Sequence, residues 1–371
     1  MTMNTGSTVA SDGTQPGTIE QILDLARWAP SGDNTQPWRF EIIGAQHVVV
    51  HGFDTRDHCV YDLNGGPSQI SLGALLETIT IAASGHGLVA DVQRRMDMPE
   101  TRPTFDVRFT ADASMSIVPD PLIGSIPKRS VQRRAMRTRA LTLEEKQTLE
   151  AAVGPAHRIF WIEGFAHRFQ AARLMFNNAR LRLTIPEAYE VHRSIIEWNS
   201  QFSEDRVPDQ ALGADAMTVR LMRWVMQSWE RVEFFNTWLA GTLAPRIQMD
   251  LIPGIACAAH FAIVAEREAR TIDDYVAAGR AVQRFWLTAT HLGLQLQPEM
   301  TPLVFGKYAR DGLEFTRAPG GMALAQDLAR QTRTLMGDVA LNAVFMGRIG
   351  AGHPALARSL RTSLQRLLVK S

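Results

Sequence analysis

Cysteine is nearly missing from this chain. Two residues, Cys59 and Cys257, among 371 cannot build the disulfide framework of a small secreted domain, and they fit a reducing compartment. No apolar run reaches the roughly 18 residues needed to cross a bilayer. An excess of one charge is lacking too: 39 Lys and Arg stand against 38 Asp and Glu. The chain as a whole therefore has no electrostatic pull toward nucleic acid or a membrane surface. Met1 to Gly17, rich in Ser, Thr and Gly, has neither the basic nor the apolar region of a secretory signal. It reads as a floppy tail, and the expectation is a cytoplasmic protein. Catalytic signatures are also missing. There is no G-x-G-x-x-G turn, no P-loop, no zinc spacing and no G-x-S-x-G elbow. His192 and Glu197 stand five apart without a third ligand, so no metal site is expected.

What is present is an ordinary globular composition, 45% hydrophobic and 21% charged, long enough for two domains or one large one. Its most informative stretch is Ala29-Pro30-Ser31-Gly32-Asp33-Asn34-Thr35-Gln36-Pro37-Trp38. Before it, Ile19, Ile22, Leu23, Leu25 and Ala26 recur near helical spacing, and Pro30 ends that helix. Each proline fixes φ and removes a donor, while Ser31, Asp33 and Asn34 can hold turn geometry or bond to something outside the chain. Ordinary turn residues ahead of a strand can look the same, so composition alone leaves a binding role and a plain turn both open.

Two short strands, Phe40 to Ile43 and Val48 to Val50, follow as a hairpin. A helix from Gly66 to Leu88 is apolar enough to be buried on most of its surface. Strands are expected at Val89 to Gln93 and Phe105 to Phe109, and Asp120 to Pro127 has the composition of a linker. The second part repeats this plan: a helix from Leu143 to Val153, a strand at Arg158 to Ile162, a long helical region, a strand at Gly254 to Val264, and a helix from Ile272 to Leu292. A shift of 206 positions places Gly73, Ala83, Gly87 and Leu88 on Gly279, Ala289, Gly293 and Leu294. Both helices then close with a Gly-Leu pair leading into a strand, as expected of a duplicated unit.

The loop resembles the A-P-S-x-x-N-x-Q-P-W motif of nitroreductase-family flavoproteins, matching at Ala29, Pro30, Ser31, Asn34, Gln36, Pro37 and Trp38. The resemblance implies an α+β nitroreductase-like fold in which this loop packs against FMN at a subunit interface. The internal repeat resembles the tandem subgroup of that family, with two degenerate halves in one chain. The implied organisation is a disordered tail at 1–17, a first half at 18–125 and a second at 126–371, with a helical insertion at about 165–245. The motifs are kept asymmetrically. The counterpart of the loop, Val153-Gly154-Pro155-Ala156-His157, has lost Asn and Gln-Pro-Trp. The basic R-R-S-x-R segment that opens such a domain is missing before Ile19 but appears from Lys128 to Arg134.

Residues 128–139 hold six basic side chains in twelve positions. Such a run is by default a solvated face or a weak nucleic-acid patch, but guanidinium forks beside a serine can also close on a phosphate. The resemblance implies that Lys128 or Arg129, with Ser130, contacts the FMN phosphate and ribityl chain. Gln132 departs from the family pattern where a basic residue is usual, and Arg133 can take over that contact. After a strand at Val344 to Gly350, Arg358 and Arg361 are spaced by three, as on one helical turn, and can reach one anion.

The cofactor-binding set is therefore Pro30, Ser31, Asn34, Gln36, Lys128, Arg129, Ser130, Arg133, Arg358 and Arg361, with no catalytic side chain singled out. Trp198, Trp224, Trp229 and Trp238 are read as packing residues, although one of them or Tyr189 could face the cofactor ring from a lid. The function implied is an FMN-dependent oxidoreductase passing hydride to a small aromatic or conjugated acceptor, with NAD(P)H as a possible donor entering the flavin site. The alternative is a non-catalytic protein that binds or sequesters flavin. The expected partner is a small molecule, not nucleic acid or a membrane, and the chain is either a monomer or a further homodimer.

Overall fold

The computed structural model describes residues 17–111, 117–239 and 241–369, so the expected tail lies, but for Gly17, outside the described residues. Helix α1 (Thr18–Ala26) turns Ile19, Ile22, Leu23 and Ala26 inward, as their spacing predicts. Strands β1 (Trp38–Gly44) and β2 (His47–Gly52) form the expected antiparallel hairpin. Helix α2 (Gly66–Ser84) is buried round most of its circumference, which its even apolarity requires. Strands β3 (Val89–Arg94) and β4 (Thr104–Thr110) complete a four-stranded sheet in the order β1-β2-β4-β3. Trp38, Phe40, Phe105 and Phe109 fill its core against α1 and α2.

The same elements recur in the same order. Helix α3 (Leu143–Ala152) starts with a capping box between Thr142 and Glu145, and strand β5 (His157–Ile162) follows. Next come α4 (Gly164–Thr184), α5 (Pro186–Ile195), α6 (Ala216–Val225) and α7 (Trp229–Trp238). Strand β6 (Ala259–Ala265) leads to α8 (Ile272–His291) and β7 (Leu294–Pro298). Helices α9 (Thr301–Asp311) and α10 (Gly321–Met336) precede β8 (Ala343–Ala351). The second sheet runs β5-β6-β8-β7, antiparallel throughout. The α+β class expected from the sequence is therefore what the structure shows.

Three local expectations change. Helical structure continues to Ile255, so the strand expected from Gly254 starts only at Ala259. Gly254 is a packing point instead, where a Cβ would lie 2.7 Å from that of Ala172 on α4. The α9–α10 pair was not anticipated. Arg358 and Arg361 do not share a helical turn: Arg358 and Ser359 are extended and pair in parallel with Phe202 and Ser203. Pairing with a distant segment has overridden the local spacing.

Helices α2 and α8 cross at the centre of the molecule. A Cβ on Gly73 would lie 2.1 Å from the Val276 carbonyl oxygen, and one on Gly279 would lie 2.1 Å from that of Ile70. Ile70 and Val276 are themselves 206 positions apart, so the contact is reciprocal, as across a two-fold axis. Side chains repeat the pattern: Gln283 Nε2 donates to Thr78 Oγ1, while Arg284 and Arg280 pair with Glu77. Glu77 and Gln283, like Thr78 and Arg284, are 206-shift counterparts. The chain's last segment returns to the first sheet, where Val369 N–H donates to the Phe40 carbonyl and Leu364 and Leu367 enter the first core.

Candidate functional site

The loop after α1 is held in a backbone conformation that few side chains adopt. Asp33, Asn34 and Gln36 all have positive φ, at 51°, 62° and 49°, a region Asn and Asp tolerate better than most residues. Local bonds hold the strain in place. Ser31 Oγ accepts from the Gln36 N–H at 2.9 Å. Asn34 Nδ2 donates to the carbonyls of Glu204 and Arg206 in the insertion. Gln36 Nε2 donates to Glu204 O, and its Oε1 accepts from the Thr362 N–H. The loop is thus a junction where the first unit, the insertion and the returning C-terminal segment meet.

Beside it lies a cavity of about 340 Å3, within the range of small-molecule sites. Its wall includes Pro30, Ser31 and Asn34 from the loop, and Arg129, Ser130 and Arg133 from the basic segment. Ile70 and Ala74 of α2, Val282 and Trp286 of α8, and Arg358 and Arg361 complete much of it. Eight of the ten residues singled out from sequence therefore share one cavity. Gln36 stands behind the loop as its internal staple, and Lys128 is exposed to solvent away from the wall.

Four guanidiniums lining the cavity, those of Arg129, Arg133, Arg358 and Arg361, have no carboxylate at ion-pair distance among the described residues, and the charges of Arg358 and Arg361 bear directly on Arg129. Arg129 donates to the Trp28 carbonyl and lies 4.5 Å over the ring of Trp286. Arg358 donates to the Pro127 carbonyl and lies over the ring of Trp28. Arg361 Nε donates to the Ala29 carbonyl. Carbonyls and ring faces orient a cation without neutralising it. Burial, followed by repulsion from Arg361 and Arg358, pushes the Arg129 guanidinium well below its ordinary pKa. Burial with the charges of Arg358 and Arg27 pulls Arg361 down to about 9. Buried cations strained in this way lower their free energy by taking an anion.

A second charged group lies among other wall residues. Arg133 donates to the Ala211 carbonyl, and Arg182 of α4 pairs with Asp250 at 3.2 Å. Arg348 of β8 pairs with Glu299, whose other oxygen is 2.7 Å from His260 Nδ1. Burial disfavours the His260 cation, but the charge and hydrogen bond of Glu299, together with contact with Cys257, outweigh it and raise the pKa to about 10. Burial raises Asp33, against the opposing pull of Arg133 and Arg182, and lifts Asp250 to about 6. Tyr61 O–H and His192 Nε2, 2.9 Å apart, also face the cavity. Burial holds His192 neutral, its pKa lowered to about 3.

Arg182, Asp250, Tyr61 and Arg348 carried no motif and were missed; for Arg182, Asp250 and Arg348 the only sequence signal is charge beside apolar residues, and Tyr61 has none. The tryptophans of the insertion do not face the cavity. Trp224 and Trp238 are exposed, and Tyr189 stacks on Trp229 with its hydroxyl on the Met226 carbonyl. The aromatic side chains at the wall are instead those of Tyr61, His192, Trp286 and Phe345.

Fold and cavity together define a two-sheet α+β protein with a cation-lined cavity between its elements. Residues 10–64, which contain the loop, match the nitroreductase family, and the nitroreductase-like resemblance read from that loop is thereby shown. An uncharacterized Mycobacterium tuberculosis protein is 24% identical over 301 residues, covering 79% of this chain and 40% of its own length. The chain thus spans about two fifths of that curated relative. Similar solved structures include a nitroreductase with bound FMN from Bacteroides fragilis, at 8% identity and TM-score 0.35, covering 63% of this chain and 89% of its own. Another is the FMN-dependent nitroreductase NfnB of Mycobacterium smegmatis in complex with NADPH, at 14% identity and TM-score 0.35, covering 67% and 96%.

Proposed function

We propose that this chain is an FMN-dependent oxidoreductase, built as a single-chain pseudodimer of halves 18–125 and 126–371 with one flavin site between them. The observation that carries this reading is the set of three uncompensated guanidiniums, Arg129, Arg358 and Arg361, in a cavity walled by the A-P-S-x-x-N-x-Q-P-W loop. A further fit lies in the unpaired buried atoms. Asn34 Oδ1, Gln297 Oε1 and the Nε atoms of Arg129, Arg182, Arg348 and Arg358 are buried without a partner, and all six residues line the cavity. Native interiors leave few such atoms, and the placing of six of the ten among the described residues around one cavity suits a polar, multiply hydrogen-bonding ligand.

In this reading Arg129, Arg358, Arg361 and Ser130 hold the FMN phosphate, and charge-assisted bonds to a dianion relieve their mutual repulsion. Pro30, Ser31 and Asn34 supply one wall, and α2 with Val282 and Trp286 of α8 excludes water from the middle. Bound there, FMN supplies hydride transfer between a donor such as NAD(P)H and a small conjugated acceptor. The decisive experiment is anaerobic addition of NADPH or NADH to FMN-loaded protein. Bleaching of the flavin absorbance is the expected result. Retention of FMN without bleaching by either nucleotide refutes the reductase and leaves a flavin-sequestering protein. Failure to bind FMN at all refutes both.

A further inference from the structure

The charged group around Arg133 and Arg182 is separate from the proposed phosphate anchor. Arg133 donates to the Ala211 carbonyl and its own carbonyl accepts from Arg348, whereas Arg129, Arg358 and Arg361 donate to the carbonyls of Trp28, Pro127 and Ala29. The two sets share no member, although the arginines of both line one cavity. We propose that the Arg133–Arg182 end binds the acceptor and selects one that carries a carboxylate on a flat apolar body. This rests on the flavin reading above, which assigns the dianionic phosphate to the guanidiniums of Arg129, Arg358 and Arg361.

Charge balance is the first support. At this end of the cavity Arg133, Arg182 and Arg348 face Asp33, Asp250 and Glu299, three cations against three carboxylates, so any carboxylate that takes a proton leaves one cation over. A single surplus cation suits a monoanion. Burial pushes Asp33 toward its neutral form, which is what leaves that cation over.

Unused donors are the second. Arg133 gives one N–H to Ala211 and has no carboxylate at ion-pair distance among the described residues. Arg348 is 2% exposed and its Nε has no partner; the Nε of Arg182 is likewise buried and unpaired. A planar guanidinium with free N–H groups matches a carboxylate's two oxygens.

The third support is the surrounding wall. Met175, Val207, Leu212 and Met249, all from the segment inserted between β5 and β6, face the same cavity. They offer apolar surface beside the cations and no further anion. The insertion therefore supplies both halves of an amphipathic subsite, an arginine for the carboxylate and apolar side chains for the ring.

The test uses FMN-saturated protein and calorimetric titration with benzoate, with its neutral near-isostere benzamide, and with inorganic phosphate. Benzoate is expected to bind at least about tenfold more tightly than benzamide, the usual worth of a charge-assisted pair, and phosphate is expected not to displace it. Arg133→Met abolishes the benzoate preference while FMN absorbance per chain is unchanged, and Arg133→Lys keeps part of it. Arg182→Met, on a different element, lowers benzoate affinity as a second check. Equal affinity for benzoate and benzamide overturns the inference with the flavin reading intact. So does loss of FMN from Arg133→Met, which places that arginine at the flavin. Protein that takes up no FMN overturns the flavin reading, and this inference with it.

Discussion

Replacing Gly73 by Ala tests the central helix crossing and the cavity together. In an ordinary helix interior the change stabilises by about 1 kcal/mol, because Ala loses less backbone freedom on folding than Gly. Here the new Cβ would lie 2.1 Å from the Val276 carbonyl oxygen and 2.9 Å from the Gly279 Cα. Both neighbours are backbone, so no side chain can swing aside, and the helices must separate by close to an ångström. Overpacking of this kind costs about 1–3 kcal/mol where side chains can yield, and the backbone contact puts Gly73→Ala at or above the top of that range. The clash outweighs the propensity gain, and a net loss of about 2 kcal/mol is expected, a fall in Tm of about 2.5 °C. Gly279→Ala makes the reciprocal clash with the Ile70 carbonyl, so its loss is of similar size. Once one methyl has spread the crossing, the second has room, so the double variant costs clearly less than the sum. Calorimetric melting of the four proteins measures this, and FMN retention should fall with Tm because Ile70, Ala74, Val282 and Trp286 line the cavity. A stabilised single variant, or strict additivity in the double, refutes the crossing.

Other outcomes follow from the site. Arg361→Met should weaken FMN binding about 10- to 100-fold, the worth of charged hydrogen bonds. The Tm of flavin-free protein is held or raised, since a buried unpaired cation is removed; fluorescence titration and melting read the two effects. Asn34→Ala and Ser130→Ala, in opposite halves, should each reduce the FMN retained after gel filtration, and full retention in both refutes a shared site. Asn34→Gly relieves the positive φ but restores neither bond to Glu204 and Arg206, so it should not rescue. The folded pKa of His260, about 10, lies above its ordinary 6.5, so its contribution to stability is complete below pH 6.5 and is lost as pH rises through 10. Urea unfolding should show a fall between pH 7 and 10 that His260→Gln flattens; equal slopes in the two proteins exclude the effect.

The elements legible in the sequence were those whose signal is local. Helix α1, the β1–β2 hairpin, α2 and α8 follow from periodicity and glycine punctuation, and the 206-residue shift pointed to the two glycines that meet at the crossing. What was not legible depends on contacts between distant segments. The spacing of Arg358 and Arg361 looks helical in isolation, but pairing with Phe202 and Ser203 draws the strand out. Arg182 and Asp250 are separated by 68 positions and become neighbours only when α4 packs on the end of the insertion. Glu299 gives no signal in a chain with 38 acidic residues, yet it holds both Arg348 and His260. The loop was recognisable as a binding turn, but its polar side chains mainly tether the insertion. Asn34 Oδ1, buried without a partner, and the Asp33 carboxyl at the cavity wall are what remain for a ligand.

The reciprocal crossing of α2 and α8 has a consequence for the side of the molecule away from the cavity. Ile70, Ala74, Val282 and Trp286 become Val276, Arg280, Leu76 and Thr80 under the same shift. Where the open side has an alanine and an indole, the mirrored side has an arginine and a threonine. There Arg280 and Arg284 clasp Glu77, and Arg284 also reaches Asp120 at 2.9 Å. In a dimer of identical chains every substitution is made twice, so neither pocket can be filled without filling the other. Under the proposed duplication, joining the halves removes that bond of inheritance. One end could be plugged with ion pairs and serve as a brace, while the other stayed hollow and was free to change its guest.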